Sequence, residues 1–358
     1  MKKKLCLLLA IAPLVLACGN SDSDSLIPSG GTSVEVAAAA EVLKTAIAAE
    51  ADSGRLGIQL SDFNFGLTVS VDETQTDGSV SGATSHEGGT ITVSNGSLFV
   101  GVAGITDEDA TAFEGAINLK ADVAEKITTT TASIDTSLED VEANLYVKDK
   151  NVYADLSNEN FVTLVNSLPV NDGKSVGLTA GKYLYSGVIS DTSFPLINSE
   201  TLTQIQGIGA QVGEWVKQNA TSFTAVSYTD GSFGISGSLT KADLAPLFGI
   251  TSESTSSSQS EMSEIYENLV LSKFSLGLVF SATGLEDLKF EFEASTSFGE
   301  TDGYTIVDGS SESYVIDHTS AFEISANLSF DLAFLSGSEV VITFPTDLDA
   351  YTLVNSAQ

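Results

Sequence analysis

The twelve residues Leu145–Leu156, LYVKDKNVYADL, decide how the chain is read. Two short runs rich in Val, Leu and Tyr flank Lys148-Asp149-Lys150-Asn151, a polar step with turn chemistry. Aromatic and β-branched residues suit a pleated, half-buried surface, and a tight polar turn between two such runs makes a hairpin. The same period-two alternation recurs to either side, at Phe63–Val71, Thr90–Val93, Phe113–Val123, Phe223–Ser236, Phe274–Ser281, Leu288–Ala294, Phe322–Phe334 and Val340–Phe344. Thr229-Asp230-Gly231-Ser232 is a second turn of this kind. Strands joined by such turns run antiparallel. The expected fold class is therefore mainly antiparallel β with several helices, an α+β chain built on a meandering sheet.

Helical patterns interrupt the alternation. Thr32 and Glu35 have capping-box spacing before a helix that carries Val36, Leu43 and Ile47 on one face, with Gly54 as its stop. Ser157–Leu168 reads as a second helix ended by Pro169. Leu202, Ile205, Ile208, Val212, Trp215 and Val216 form the stripe of another. Thr240 and Asp243 can cap a short one bearing Leu244, Leu247 and Phe248, and Met262, Ile265, Tyr266 and Leu269 mark one more. The Ser/Thr-rich run Thr251–Ser260 between these last two reads as an exposed loop. Ile205, Ile208, Val212 and Trp215 admit two readings, core packing on the sheet or a lid over an apolar cavity.

Two segments echo two others at nearly equal offsets. Ser61–Ser70, SDFNFGLTVS, resembles Ser272–Ser281, SKFSLGLVFS, and Thr111–Asp122, TAFEGAINLKAD, resembles Ser320–Asp331, SAFEISANLSFD. Either an internally duplicated sheet, with halves 34–195 and 196–358, or convergence of amphipathic strands accounts for this.

The N-terminus carries an address. Lys2, Lys3 and Lys4 precede an apolar stretch from Leu5 to Leu16, too short to span a bilayer comfortably, so residues 1–17 read as a removable signal peptide. Val15-Leu16-Ala17-Cys18 resembles the lipobox of bacterial lipoproteins, a resemblance that implies lipidation of Cys18. The chain has only one other cysteine, Cys6, inside the signal, so no disulfide is expected and stability must come from the core. Residues 18–33 are small, polar and acidic and read as a flexible spacer. Residues 34–358 follow as a β-rich extracytoplasmic domain, with 42% apolar residues across the chain to support its core.

A net charge of −33 with Arg55 as the only arginine excludes the basic patches that nucleic acid requires. Such acidity fits either recruitment of cations and basic partners or a solvated, salt-tolerant surface. Catalytic signatures are missing. His86 and His318 stand apart, both expected in turns, without the second histidine of a zinc-protease helix. Gly231–Gly237 has the wrong spacing for a nucleophile elbow, and Gly173-Lys174-Ser175 lacks the first glycine of a phosphate loop. Asp107-Glu108-Asp109 lacks calcium-loop spacing. No catalytic, cofactor-binding or metal-ligating residue is assigned, and the chain is not expected to be an enzyme.

The lipobox, the Leu145–Leu156 hairpin, the helix-then-strand unit from Glu261 to Thr296, and the close Val340–Tyr351, VVITFPTDLDAY, together resemble the LolA/LppX-like superfamily of lipid-carrying lipoproteins. The resemblance implies a half-open β-barrel with helices on its concave face, where acyl chains bind. The expected protein is thus lipid-anchored in the bacterial cell envelope, on the extracytoplasmic side. It binds a lipid or other apolar ligand without catalysis and needs no cofactor. The acidic run after Cys18 faintly resembles a signal for the outer surface. A surface structural or adhesive module with a packed β core is the alternative.

Overall fold

A computed structural model describes residues 26–50, 54–77, 80–107, 109–129, 133–167, 176–190, 199–244, 267–307 and 313–354. Their strands are β1 (Thr32–Val34), β2 (Arg55–Asp77), β3 (Val80–Ala103), β4 (Glu114–Thr128), β5 (Ser133–Lys148), β6 (Asn151–Leu156), β7 (Gly181–Tyr185), β8 (Phe223–Ser227), β9 (Phe233–Ser238), β10 (Val270–Ser281), β11 (Gly284–Val307), β12 (Ser313–Ser336) and β13 (Thr352–Leu353). The helices are α1 (Val36–Glu50), α2 (Glu159–Ser167), α3 (Ser199–Gln218) and α4 (Lys241–Leu244).

Asp149 and Lys150 both have positive φ, 49° and 65°. That pair of angles makes the two-residue turn whose twist matches the flanking strands. It closes the β5–β6 hairpin with Lys148 opposite Asn151. The Thr90–Val93 run is the middle of a 24-residue strand, because its alternation continues on both sides. Thr32 does not cap a helix; it pairs with Ser227 as part of β1, and α1 starts at Val36. Thr240 does cap, its backbone N–H and hydroxyl both donating to Asp243 Oδ2, at 2.8 and 2.7 Å. Pro169, Leu247, Phe248, the Thr251–Ser260 loop and the Met262–Tyr266 pattern lie outside the described residues.

All thirteen strands join one open sheet in the order β1-β8-β9-β10-β11-β12-β2-β3-β4-β5-β6-β7-β13. It consists of two antiparallel meanders, β2 to β7 and β8 to β12. They meet where Phe334, Leu335 and Ser336 face Ile58, Gly57 and Leu56. The parallel pairing of β13 with β7 makes the sheet mixed. Both sequence echoes fall on matching strands of a three-strand unit: β2 with β10, and β4 with β12.

Side chains alternate across a sheet, so the register defines two faces. One, the helix face, carries Phe274, Leu276, Leu278 and Phe280 of β10, then Leu288 and Phe290 of β11, then Leu328 and Phe330 of β12. Helix α1 lays Ala39, Ala40, Leu43 and Ala46 onto its β8–β11 end, leaving Leu43 and Phe280 fully buried. Helix α3 packs on α1 at close range. A Cβ on Gly213 would sit 2.5 Å from the Lys44 side chain and 3.0 Å from the Ala40 carbonyl. Lys44 pairs with Glu214 at 2.5 Å, and Lys217 pairs with Glu41.

The opposite, back face is crossed by the ends of the described chain. Tyr228 donates to the Pro28 carbonyl at 2.8 Å, and Ile27 is buried. Residues 26–33 therefore belong to the fold, which shortens the segment read as a spacer. The segment Val340–Tyr351 straps β2 to β6: Val340 seats on Gly57 and Gly101, Phe344 meets Tyr146 at 6.2 Å, and Tyr351 meets Tyr153 edge-on at 5.5 Å.

Candidate functional site: an uncovered apolar sheet face

Beyond β12 the helix face continues over β2 to β5 without α1 above it. The residues that alternate onto it are Leu60, Phe63, Phe65 and Leu67 of β2, Ile91, Val93, Leu98 and Val100 of β3, Ile117, Leu119 and Val123 of β4, and Leu145 of β5. They form rows across the strands: Leu60–Leu98–Leu119, Val100–Ile117–Leu145 and Phe65–Val93–Val123. Ile91, Ile117, Leu119 and Leu145 are 40%, 41%, 38% and 36% exposed. Further along this face Val141 and Ala154 are buried, where α2 packs against β5 and β6. The open strip thus lies between two flanks that helices cover.

The echoed strands measure what is missing. Leu119 in TAFEGAINLKAD matches Leu328 in SAFEISANLSFD, and Val69 matches Phe280. Leu328 and Phe280 are 0% exposed, whereas Leu119 is 38% exposed. Phe280 is enclosed in the core under α1, and Leu328 in a cluster of strand side chains with Leu288, Phe290 and Phe330, whereas the same alternation at Leu119 faces outward. Contiguous exposed apolar surface of this kind marks interaction sites in soluble proteins.

A row of bulges crosses the strip and keeps its register. Extra residues enter β2 between Leu60 and Phe63, β3 between Ser94 and Ser97, and β5 opposite Ala121–Val123. Asp62, Asn95 and Asp140 occupy them, each with φ near 51°, which short polar side chains tolerate. Asp122 of β4 serves two of them, accepting from Asn95 Nδ2 at 2.7 Å and from the Asp140 backbone N–H at 2.8 Å. The Asn95 amide, then that backbone N–H, hold its carboxyl below the usual aspartate value.

The back face offers grooves of a different chemistry. Two adjoining ones, of about 200 and 280 Å³, lie over the seam of the meanders. Thr68, Thr90, Thr92, Ser272, Ser295 and Ser325 line the first. Under the strap, Lys182 reaches Asp347 at 2.9 Å and Asp155 at 3.2 Å, and these carboxylates, led by Asp347, raise its pKa. Burial pushes the Tyr351 phenol up to about 12.

The residues singled out in the sequence lie elsewhere. Val212 and Trp215 of α3 are half-buried against the α1 core, Trp215 edge-on to Phe223 at 5.6 Å, and Ile205 and Ile208 are half-buried one to two turns earlier. Trp215 thus reaches the sheet at Phe223 of β8, at the end away from the exposed strip. Cys18 lies outside the described residues. His86 and His318 stand within β3 and β12 rather than in turns, opposite Asp72 and Asp302. Each long strand runs on past the point where the sequence pattern suggested a turn. The His86 Nδ1 lies 2.7 Å from Asp72. Among the described residues no group of three or more His, Cys, Asp or Glu side chains could hold a metal ion. Among them, too, no helix is long and apolar enough to cross a membrane.

No family model and no curated protein matches the chain. Among solved structures it is similar to the secretin domain β-barrel of InvG from the Salmonella SPI-1 injectisome, at 8% identity and a TM-score of 0.17, covering 82% of this chain and 65% of that one. It is also similar to the Salmonella SPI-1 type III secretion injectisome basal body proteins InvG, PrgH and PrgK, at 9% identity and a TM-score of 0.13, covering 82% and 47%. The chain spans less than two thirds of either. Neither likeness informs the fold or the function at such scores.

Proposed function

We propose that this chain is a lipid-anchored, extracytoplasmic protein of the bacterial envelope that binds a lipid or other apolar ligand without catalysis. The observation that carries the proposal is the exposed strip Ile91, Ile117, Leu119 and Leu145, on a face whose β10–β12 part holds the buried Phe280, Leu288, Phe290, Leu328 and Phe330. Covering it removes apolar surface from water, which favours capture at about 25 cal/mol per Å². In this reading the sheet rolls into a half-open barrel with α1 and α3 on its concave side. The bulge row supports the roll, since bulges bend strands and raise their twist. The resemblance to the LolA/LppX-like superfamily implies the same arrangement.

A neutral fluorescent probe such as N-phenyl-1-naphthylamine tests the reading. The full chain should bind it saturably, and the double variant Ile117→Asp, Leu119→Asp should bind at least tenfold more weakly. Absence of binding, or binding that the double variant retains, sinks the proposal. The anchor is tested separately: Cys18→Ala should release the protein from membranes, and retention there refutes lipidation. The second reading, a surface module with a packed core, draws on the Ser/Thr-lined grooves of the back face and on the half-buried Val212 and Trp215. Failure to bind apolar probes would favour it.

A further inference from the structure

The two meanders are joined unevenly. β2 keeps its register with β3 from Arg55 to Asp77, and β12 keeps its register with β11 from Ser313 to Ala333. Among the described residues, β2 and β12 share ladder pairs only where Leu56, Gly57 and Ile58 face Ser336, Leu335 and Phe334. The two strands nonetheless run on side by side. Leu60 and Phe63 of β2 pack against the cluster that holds Leu328 and Phe330 of β12. A Cβ on Gly66 would sit 2.5 Å from Asn327 Oδ1, where the register carried past the Asp62 bulge brings the two level. Both back-face grooves lie over this part of the seam. The first takes Gly66 and Thr68 from one bank and Asn327 from the other, and the second takes Ser70 and Glu323.

A strand edge is a row of N–H and C=O groups, and where a ladder stops the edge beyond it is a template for another strand. Here both banks are such edges. We propose that the seam between residues 64–70 and 323–329 is a strand-addition site for an extended polypeptide segment of a partner protein, with side chains alternately apolar and basic. Its backbone hydrogen-bonds to both banks, antiparallel to one and parallel to the other, since β2 and β12 are antiparallel. An inserted strand needs its neighbours about 10 Å apart, so the meanders swing apart on their three shared pairs. Every second side chain of the segment then meets the helix face beside Phe65, Leu67 and Leu328, which favours apolar residues. The others enter the grooves, whose lining includes Glu293 and Glu323 and, among the described residues, no Lys or Arg. Such a lining favours basic residues and repels acidic ones. The site does not rest on the apolar-ligand reading.

The probe is a capped, fluorescein-labelled peptide of about nine alternating valine and lysine residues, titrated into the full chain by anisotropy. It should bind saturably. A copy N-methylated at every second residue keeps charge and side chains but loses one backbone edge, and should bind at least about tenfold more weakly. A copy with glutamate for lysine should weaken to a similar degree. Gly66→Cys, Asn327→Cys places two thiols across the seam. The reduced variant should bind the peptide and the oxidised one should lose it, with equal far-ultraviolet circular dichroism reporting that the fold survives the lock. Equal binding of the N-methylated copy would assign the affinity to charge alone and overturn the proposal, as would undiminished binding by the oxidised variant. Equal binding of the glutamate copy overturns the basic partner. In the free chain every second amide of residues 64–70 should exchange fast, and slow protection of all of them would overturn the site, because the seam would already be laddered.

Discussion

Leu119 and Leu328 occupy matching places in two similar strand sequences, yet one is exposed and the other fully enclosed. Truncating Leu328 leaves a cavity among Leu288, Phe290 and Phe330, so Leu328→Ala should cost about 2–5 kcal/mol in urea unfolding. Leu119→Ala removes side-chain surface that water already reaches, and its cost should stay below about 1 kcal/mol. Equal costs would mean that the Leu119 face is covered in solution. Asp122 makes a different kind of prediction. Its pKa is lowered in the folded chain, so its contribution is present above the unfolded value near 4 and is lost as pH falls through the folded one. Asp122→Asn should therefore flatten the acid limb of the stability–pH curve below about pH 4. An unchanged acid limb would show that the two bulges do not depend on this carboxylate.

Elements were legible in proportion to how local their causes are. The β5–β6 hairpin follows from a turn of four residues, and the Thr240–Asp243 cap from two side chains. Strand lengths were harder, because Gly88, Gly89 and Gly96 within β3 look like breaks in sequence while the ladders on both sides carry the strand through. Thr32 looked like a helix cap because its spacing to Glu35 is right, but β8 offers it a ladder partner from nearly 200 residues away. The apolar face was written openly in Ile117, Leu119 and Val123. What the sequence could not say is which alternating faces a helix would reach, since that depends on where α1 lands in the finished sheet. The strap carries its own prediction. Lys182→Met removes the cation shared by Asp155 and Asp347 and should loosen Val340–Tyr351 by about 1 kcal/mol or less, since both pairs are partly solvated. Faster hydrogen exchange at the Val354 amide, which donates to Leu184 at 2.8 Å, would register it. Because the Lys182 pKa is raised on folding, this contribution is fully present below about pH 10 and fades only above it.

For the molecule as a whole, a net charge of −33 on 358 residues means that the folded chain works against its own field. Added monovalent salt should raise its melting temperature between 10 and 200 mM, as exposed carboxylates are screened from one another. A fall over that range would instead assign net stabilisation to ion pairs such as Lys44–Glu214.

An open sheet has two borders, and here they are β1, three residues long, and β13, two. An unpaired border is a template on which other copies can polymerise, and short terminal strands deny it length. The brevity of β1 and β13 therefore leaves little template at the first and last strands of the unclosed sheet. Proline at both Thr352 and Leu353 would strip β13 from β7 and expose a five-residue border. Incubated at high concentration, that variant should scatter light and take up thioflavin, whereas a monodisperse solution would show that β7 needs no such guard.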